Sequence, residues 1–269
     1  MNRTGLLIAL VVGAMTGLVF GLFPELDLQV AGFFFDPRAR QFTLLDHVLL
    51  GQWTWPALLR DAAMWIVAGL ALPAGIALAA KCVLPTARLR ISGRAVVFLL
   101  ATLALAPGVL ANVVLKEHWH RPRPGAVHEF GGSLTFMPWW DPRGECRHNC
   151  SFVAGEASGA FWTLAPAALA PAPLRIFAYA AALAFGSAVG LLRMAFGAHF
   201  FTDVAFAGIF TFLIVWIVHG VLYRWRTAIS DAAVERAIER IFLPPHAALL
   251  RFLTRLSVRG RRAGPHPDA

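Results

Sequence analysis

Apolar residues gather into long runs along this chain and do not alternate with polar ones. Six runs stand out: Gly5–Phe23, Ala62–Ala80, Ala95–Leu115, Phe152–Ala170, Ile176–Leu192 and Val204–Leu222. Each is close to the ~20 residues that a helix needs to cross a bilayer. Helix is the predicted state for all six, because a strand facing lipid would leave backbone N–H and C=O groups without partners. Pro73, Pro107 and Pro166 lie inside runs and are expected to kink them. The pattern predicts an all-α integral membrane bundle of six transmembrane helices over residues 1–223, followed by a tail over 224–269.

Composition supports that class. Of 269 residues, 58% are hydrophobic and 14% charged, against about a quarter charged in soluble domains. The net charge of +9 does not indicate a nucleic-acid partner. Nine of the basic residues fall in the tail, where a cytoplasmic excess of Lys and Arg is the rule for membrane proteins. That tail alternates arginines with apolar residues, as in Ala237–Leu243, and predicts an amphipathic helix lying on anionic lipid, with Gly264–Ala269 disordered. The first run follows Arg3 but ends in Gly-Leu-Phe-Pro-Glu-Leu, with no small-residue cleavage signal, so it is expected to stay as an anchor. The connection Glu25–Asp61 is rich in aromatic residues and is expected to lie partly in the interface.

Orientation follows from the basic residues between runs. With the N-terminus inside, fifteen of the 24 Lys and Arg residues fall on the cytoplasmic side and nine outside, which places both termini in the cytoplasm. Several of the external ones sit in clusters that carry chemistry. Lys116-Glu-His-Trp-His-Arg-Pro-Arg-Pro124 follows the third run, Cys150-Ser-Phe-Val-Ala-Gly-Glu-Ala-Ser158 opens the fourth, and Arg193-Met-Ala-Phe-Gly-Ala-His-Phe-Phe-Thr-Asp203 links the fifth to the sixth. All three therefore fall on one face of the membrane.

Charges beside membrane helices are costly and need a reason. Lys116, Arg123 and Arg193 offer positive charge and guanidinium forks that match phosphate oxygens. Gly155 falls in the first turn of the fourth helix, where free N–H groups and the helix dipole favour an anion. His199 precedes Asp203 by four residues, so in a helix the carboxylate would hold one ring nitrogen and leave the other to attack. Phosphoryl transfer through a phosphohistidine is the chemistry this set suits. Cys146 and Cys150, with His148, are too few for a closed zinc site; they form a candidate disulfide in an oxidising compartment.

The arrangement Lys116-x6-Arg123-Pro124, Ser-Phe-x-x-Gly, and Arg193-x5-His199-x3-Asp203 resembles the type 2 phosphatidic acid phosphatase (PAP2) superfamily, over about Ala95 to Val204. The resemblance implies a membrane lipid phosphatase without a metal or other cofactor. By the same resemblance, Lys116, Arg123 and Arg193, with Ala154 and Gly155, would bind phosphate, His199 would be the nucleophile and Asp203 its orienting partner. Two departures stand out. Leu192 occupies the usual serine before Arg193, and Val153-Ala154-Gly155-Glu156 replaces Pro-Ser-Gly-His. A phosphate-binding hydroxyl is lost, and Glu156 stands where the family has its general-acid histidine. Two roles are open for Glu156: general acid, or structural ion-pair partner of Arg123 or Arg193.

The expected activity is hydrolysis of a lipid phosphomonoester or diphosphate at the periplasmic face of a bacterial inner membrane. Candidate substrates are lipid A, undecaprenyl diphosphate, phosphatidylglycerol phosphate and phosphatidic acid, with a lean to lipid A. Two other classes compete: a phospholipid-binding protein that has lost turnover, and a lipid transporter. Phosphate release by the purified protein separates the first reading from both.

Overall fold

In the computed structural model, residues 2–44, 54–86, 88, 90–225 and 229–262 are described; the expected disordered end Gly264–Ala269 lies outside them. Helix α1 (Arg3–Leu22) is followed by a short α2 (Glu25–Gly32) and by a small antiparallel hairpin, β1 (Phe35–Asp36) with β2 (Gln41–Phe42). Then come α3 (Trp55–Val83), α4 (Gly93–His118), α5 (Gly155–Phe161), α6 (Leu164–Leu169), α7 (Arg175–Ala195), α8 (Phe201–Arg224) and α9 (Asp231–Arg262).

Five helices among the described residues are long and apolar enough to cross a membrane: α1, α3, α4, α7 and α8. Their outer faces carry exposed large side chains such as Leu7, Val11, Trp65, Ile76 and Phe177, a surface that suits lipid. The fourth apolar run differs from the expected spanning helix. It forms α5 and α6, separated by a turn at Trp162 and Thr163, and its 15 helical and turn residues reach only about 22 Å. Pro166 supplies the reason. It has no N–H to offer the Trp162 carbonyl four residues back, and its ring clashes there; the Trp162 carbonyl accepts from the Ala165 N–H instead, at 2.8 Å. The run is short because it faces protein: α5 packs against α3, α4, α7 and α8, and all but one of its residues are buried.

Helices α4 and α3 also depart from ideal winding or from their expected bounds. Around Pro107, α4 widens into π-helix over Ala104–Leu115, and Asn112 Nδ2 donates to the Pro107 carbonyl at 2.6 Å. Helix α3 begins at Trp55, with Thr54 at its N-cap position and Pro56 in its first turn, seven residues before the apolar run was expected to start. Arg60 is thereby on a helix and not in the connection. The first turns of the tail helix α9 dock on α3 and α4 through the buried side chains Val234 and Ile238.

Candidate active site

The three polar clusters meet at one end of the bundle, where α4 and α7 finish and α5 and α8 begin. Backbone bonds hold them together. The Cys150 N–H donates to the Lys116 carbonyl at 3.2 Å, the Ser151 N–H to Arg121 at 2.8 Å, the Gly125 N–H to Gly197 at 2.9 Å and the Ala154 N–H to Asp203 at 3.2 Å. Gly197 has φ of +64°, and a Cβ there would run into the Phe42 ring, so the bend that delivers His199 depends on glycine. Cys146 and Cys150 are joined in a disulfide with Cα atoms 5.7 Å apart.

His199 is buried between α7 and α8. Its Nδ1 lies 2.7 Å from the Ser151 carbonyl, which can only accept, so Nδ1 carries the proton and Nε2 keeps its lone pair. Burial pushes the imidazole pKa down to about 4, with Lys116 and Arg123 adding to the shift and Asp203 opposing it. The ring is therefore neutral and nucleophilic at ordinary pH.

Asp203 is placed differently from the helical-turn expectation. Helix α8 starts at Phe201, after His199, and the carboxylate turns back to the helix start. It accepts from the Phe200 N–H at 2.8 Å, from Ser151 Oγ, and from Arg121 Nη1 at 2.6 Å. Its nearer oxygen stands 3.7 Å from His199 Nδ1. Asp203 thus acts on the imidazole through space and through Ser151, while the Ser151 carbonyl makes the direct bond.

The cations gather around the start of α5. A Cβ added at Gly155 would stand 3.0 Å from Lys116 Nζ and 2.5 Å from Asn112 Oδ1, so glycine is what lets Lys116 lie against this turn. Arg123 is held by the Asn149 carbonyl through Nε at 3.1 Å and Nη2 at 2.9 Å. Ala154 brings no hydroxyl, and its N–H is engaged by Asp203. Glu156 is bracketed by arginines: Oε2 lies 2.8 Å from Arg193 Nε and Oε1 lies 2.8 Å from Arg60 Nε. Oε1 accepts a hydrogen bond from Arg60, and Oε2 is ion-paired with Arg193 by distance. Among the described residues no group of three or more His, Cys, Asp or Glu side chains is arranged to hold a metal.

Four residues at the site were assigned no role from sequence. Arg60 reads as the polar edge of an apolar run, Ser151 as the first position of the Ser-Phe-x-x-Gly pattern, and Asp27 as one carboxylate in the connection after α1. Arg121 belongs to a second Arg-Pro pair beside the one that fits the spacing. Asp27 and Arg121 are buried, at 1% and 0% exposure. Chemically, the site presents a neutral imidazole nitrogen among Lys116, Arg123, Arg193 and Arg60, an arrangement suited to attack on an anionic phosphorus centre.

A family model described as the PAP2 superfamily matches residues 95–227. The lipid A 4'-phosphatase of Francisella tularensis subsp. novicida (strain U112) is 36% identical over 226 residues, which cover 83% of this chain and 98% of that protein. The lipid A 4'-phosphatase of Rhizobium leguminosarum is 44% identical over 105 residues, 39% of this chain and 45% of that protein. That of Rhizobium etli is 41% identical over 105 residues, 39% of this chain and 41% of that protein. No solved structure matches.

Proposed function

The chain belongs to the PAP2 superfamily and is a membrane lipid phosphatase, and on that premise we propose that it removes the 4'-phosphate of lipid A by way of phospho-His199. The observation that carries the choice of lipid is the 36% identity along 98% of a lipid A 4'-phosphatase; such a match takes in the helices that frame the site as well as the motifs.

His199 Nε2 attacks phosphorus, the P–N bond forms, and the P–O bond to the sugar breaks. Lys116, Arg123 and Arg193 balance charge on the phosphoryl oxygens, and the first-turn N–H of Gly155, which has no partner within its helix, adds a donor. Arg60 is the fourth cation of this set. Glu156 takes the second of its two roles, as the ion-pair partner that sets Arg193 and Arg60 in place; its Oε1 accepts from Arg60 Nε and its Oε2 lies 2.8 Å from Arg193 Nε as an ion pair. The leaving alkoxide takes its proton from water, which reaches the site where the Glu156 side chain is 21% exposed. Water then attacks the phosphohistidine, the P–N bond breaks, inorganic phosphate leaves and His199 is restored.

The site faces the periplasm of a bacterial inner membrane, with both termini in the cytoplasm. The basic bias of the segments supports this orientation, and so does a disulfide beside the site. A cysteine placed at Ala126 that labelled only from the cytoplasm would overturn it.

The test is phosphate release by purified protein from lipid A, undecaprenyl diphosphate, phosphatidylglycerol phosphate and phosphatidic acid, with mass spectrometry of the lipid product. The expected result is preference for lipid A with loss of the 4'-phosphate. Equal rates on all four, or loss of the other lipid A phosphate, would sink this choice of substrate.

A further inference from the structure

Behind Asp203 lies a second buried carboxylate that the mechanism above does not use. Arg121 reaches Asp203 Oδ1 through Nη1 at 2.6 Å and Asp27 Oδ2 through Nη2 at 2.8 Å. Its Nε donates to the Met137 carbonyl at 2.9 Å, and its face lies 4.4 Å from the centre of the Phe200 ring. Thr202 closes the group: its N–H donates to Asp27 Oδ1 at 3.1 Å and its hydroxyl donates to Asp27 Oδ2 at 2.5 Å. That hydroxyl oxygen accepts from Arg121 Nη1 at 2.8 Å. Asp27, Arg121 and Asp203 are 1%, 0% and 0% exposed. Asp27 comes from α2, ahead of the residues 95–227 that match the family.

Burying a charge is expensive unless it is paired. Arg121 with Asp203 alone would be a neutral pair, and a guanidinium at 2.6 Å would draw most of the carboxylate's field away from the imidazole. Asp27 occupies the other edge of the same guanidinium. With both carboxylates ionised the trio carries one net negative charge, held in a medium where charges act strongly on each other. The Asp27 pKa is raised: burial, joined by the neighbouring Asp203 charge, outweighs Arg121 and the Thr202 hydrogen bond, which lower it.

We propose that Asp27 is a positioning residue for the phosphoryl transfer: by engaging Arg121 it returns the charge of Asp203 to His199, where positive charge develops. The proposal rests on His199 being the nucleophile. When Nε2 bonds to phosphorus, Nδ1 keeps its proton on the Ser151 carbonyl and the ring becomes cationic. The net negative trio stabilises that phosphoimidazolium relative to the free imidazole. When water later breaks the P–N bond, the ring loses its positive charge and the same stabilisation is given up.

A structural anchor and an electrostatic partner predict different kinetics. Removing the charge at Asp27 should slow formation of the phosphohistidine and leave its breakdown unslowed or faster, because the cationic intermediate is less stable. Loosening of the site would slow both steps. The experiment is rapid-quench trapping of the phosphoenzyme with an activated aryl phosphate, on the full chain in detergent, comparing wild type, Asp27→Asn and Asp27→Glu. Asp27→Asn should form phosphohistidine roughly 10–100-fold more slowly, the range seen when a partner behind a reactive group's first contacts is lost. Its breakdown rate should be equal or higher, and KM should stay within about twofold. Asp27→Glu, which keeps the charge, should recover most of the formation rate. If Asp27→Asn does not fold, Asp27→Ser removes the same charge without placing an N–H against Thr202 and Arg121, and is read in the same way. Equal slowing of both steps, or unchanged formation with lowered thermal stability, would overturn the proposal. Wild-type protein that turned over lipid without forming phosphohistidine would refute the proposed mechanism itself, before Asp27 was tested.

Discussion

The two ends of this bundle both carry ion pairs, and they handle charge in opposite ways. At the end proposed to be catalytic, Asp27, Arg121 and Asp203 are sealed from solvent, and Glu156 is shared by Arg60 and Arg193. At the other end Asp231 accepts from Ser92 Oγ and from the Arg94 N–H at 2.9 Å, which caps the start of α4 from a neighbouring helix. Its ion pair with Arg94 is 4.0 Å long, and both side chains are about a third exposed. Lys81 is the exception there: buried itself, it reaches Glu239, about a third exposed, at 3.0 Å. Exposed pairs contribute little, whereas breaking a buried one strands a charge. The end proposed to be catalytic therefore concentrates electrostatic energy where charge would move in the proposed reaction, while the other end uses it to dock a tail. Variants at the first should change rates, and variants at the second should change only stability.

The largest effect is expected at His199. His199→Gln should abolish turnover on lipid and on aryl phosphate while the protein stays folded in detergent; residual activity near wild type would end the phosphohistidine assignment. Asp203→Asn should keep weak activity, lowered by roughly 10⁴-fold as for other carboxylates that orient a catalytic histidine. An intact rate would show that Ser151 alone suffices to hold the ring.

Next comes Glu156, where the two candidate roles separate. As ion-pair partner of Arg60 and Arg193, it should give equal losses in Glu156→Gln, roughly 10–100-fold, on a lipid phosphate and on an activated aryl phosphate. A loss confined to the lipid, whose alkoxide leaves poorly without a proton, would return Glu156 to the general-acid role.

Acid should also affect the end that holds His199. The His199 pKa is lowered from 6.5 to about 4 by burial, so between those values the unfolded chain binds the extra proton. Stability from this group is full above pH 6.5 and is lost as the pH falls towards 4. Thermal melting across that window should show a smaller acid-side decline in His199→Gln than in wild type; equal slopes would contradict it.

The smallest effect is expected at the tail. Asp231→Asn should cost about 0.2–1 kcal/mol, as partly exposed pairs do, with kcat and KM unchanged in a detergent assay. A tenfold loss of activity there would break the contrast between the two ends.

Hydropathy and spacing alone determined a good deal of this protein. The long apolar runs became five spanning helices and a buried broken pair. The spacings around Lys116, Arg123, Arg193, His199 and Asp203 pointed to the cluster that the fold assembles. Those signals are legible because they are local: a run of apolar residues must be helical in lipid, and a motif records neighbours a few positions apart. Tertiary packing decided the rest. Nothing near Glu156 in sequence points to Arg60, 96 positions away, and nothing near Arg121 points to Asp27, 94 positions away. The direction of the Asp203 carboxylate also depended on where α8 begins, since an N–H at a helix start and a serine from another segment compete for the same oxygen. Such pairings follow from which helix ends are packed together, and a buried charge takes the partner that packing brings within about 3 Å.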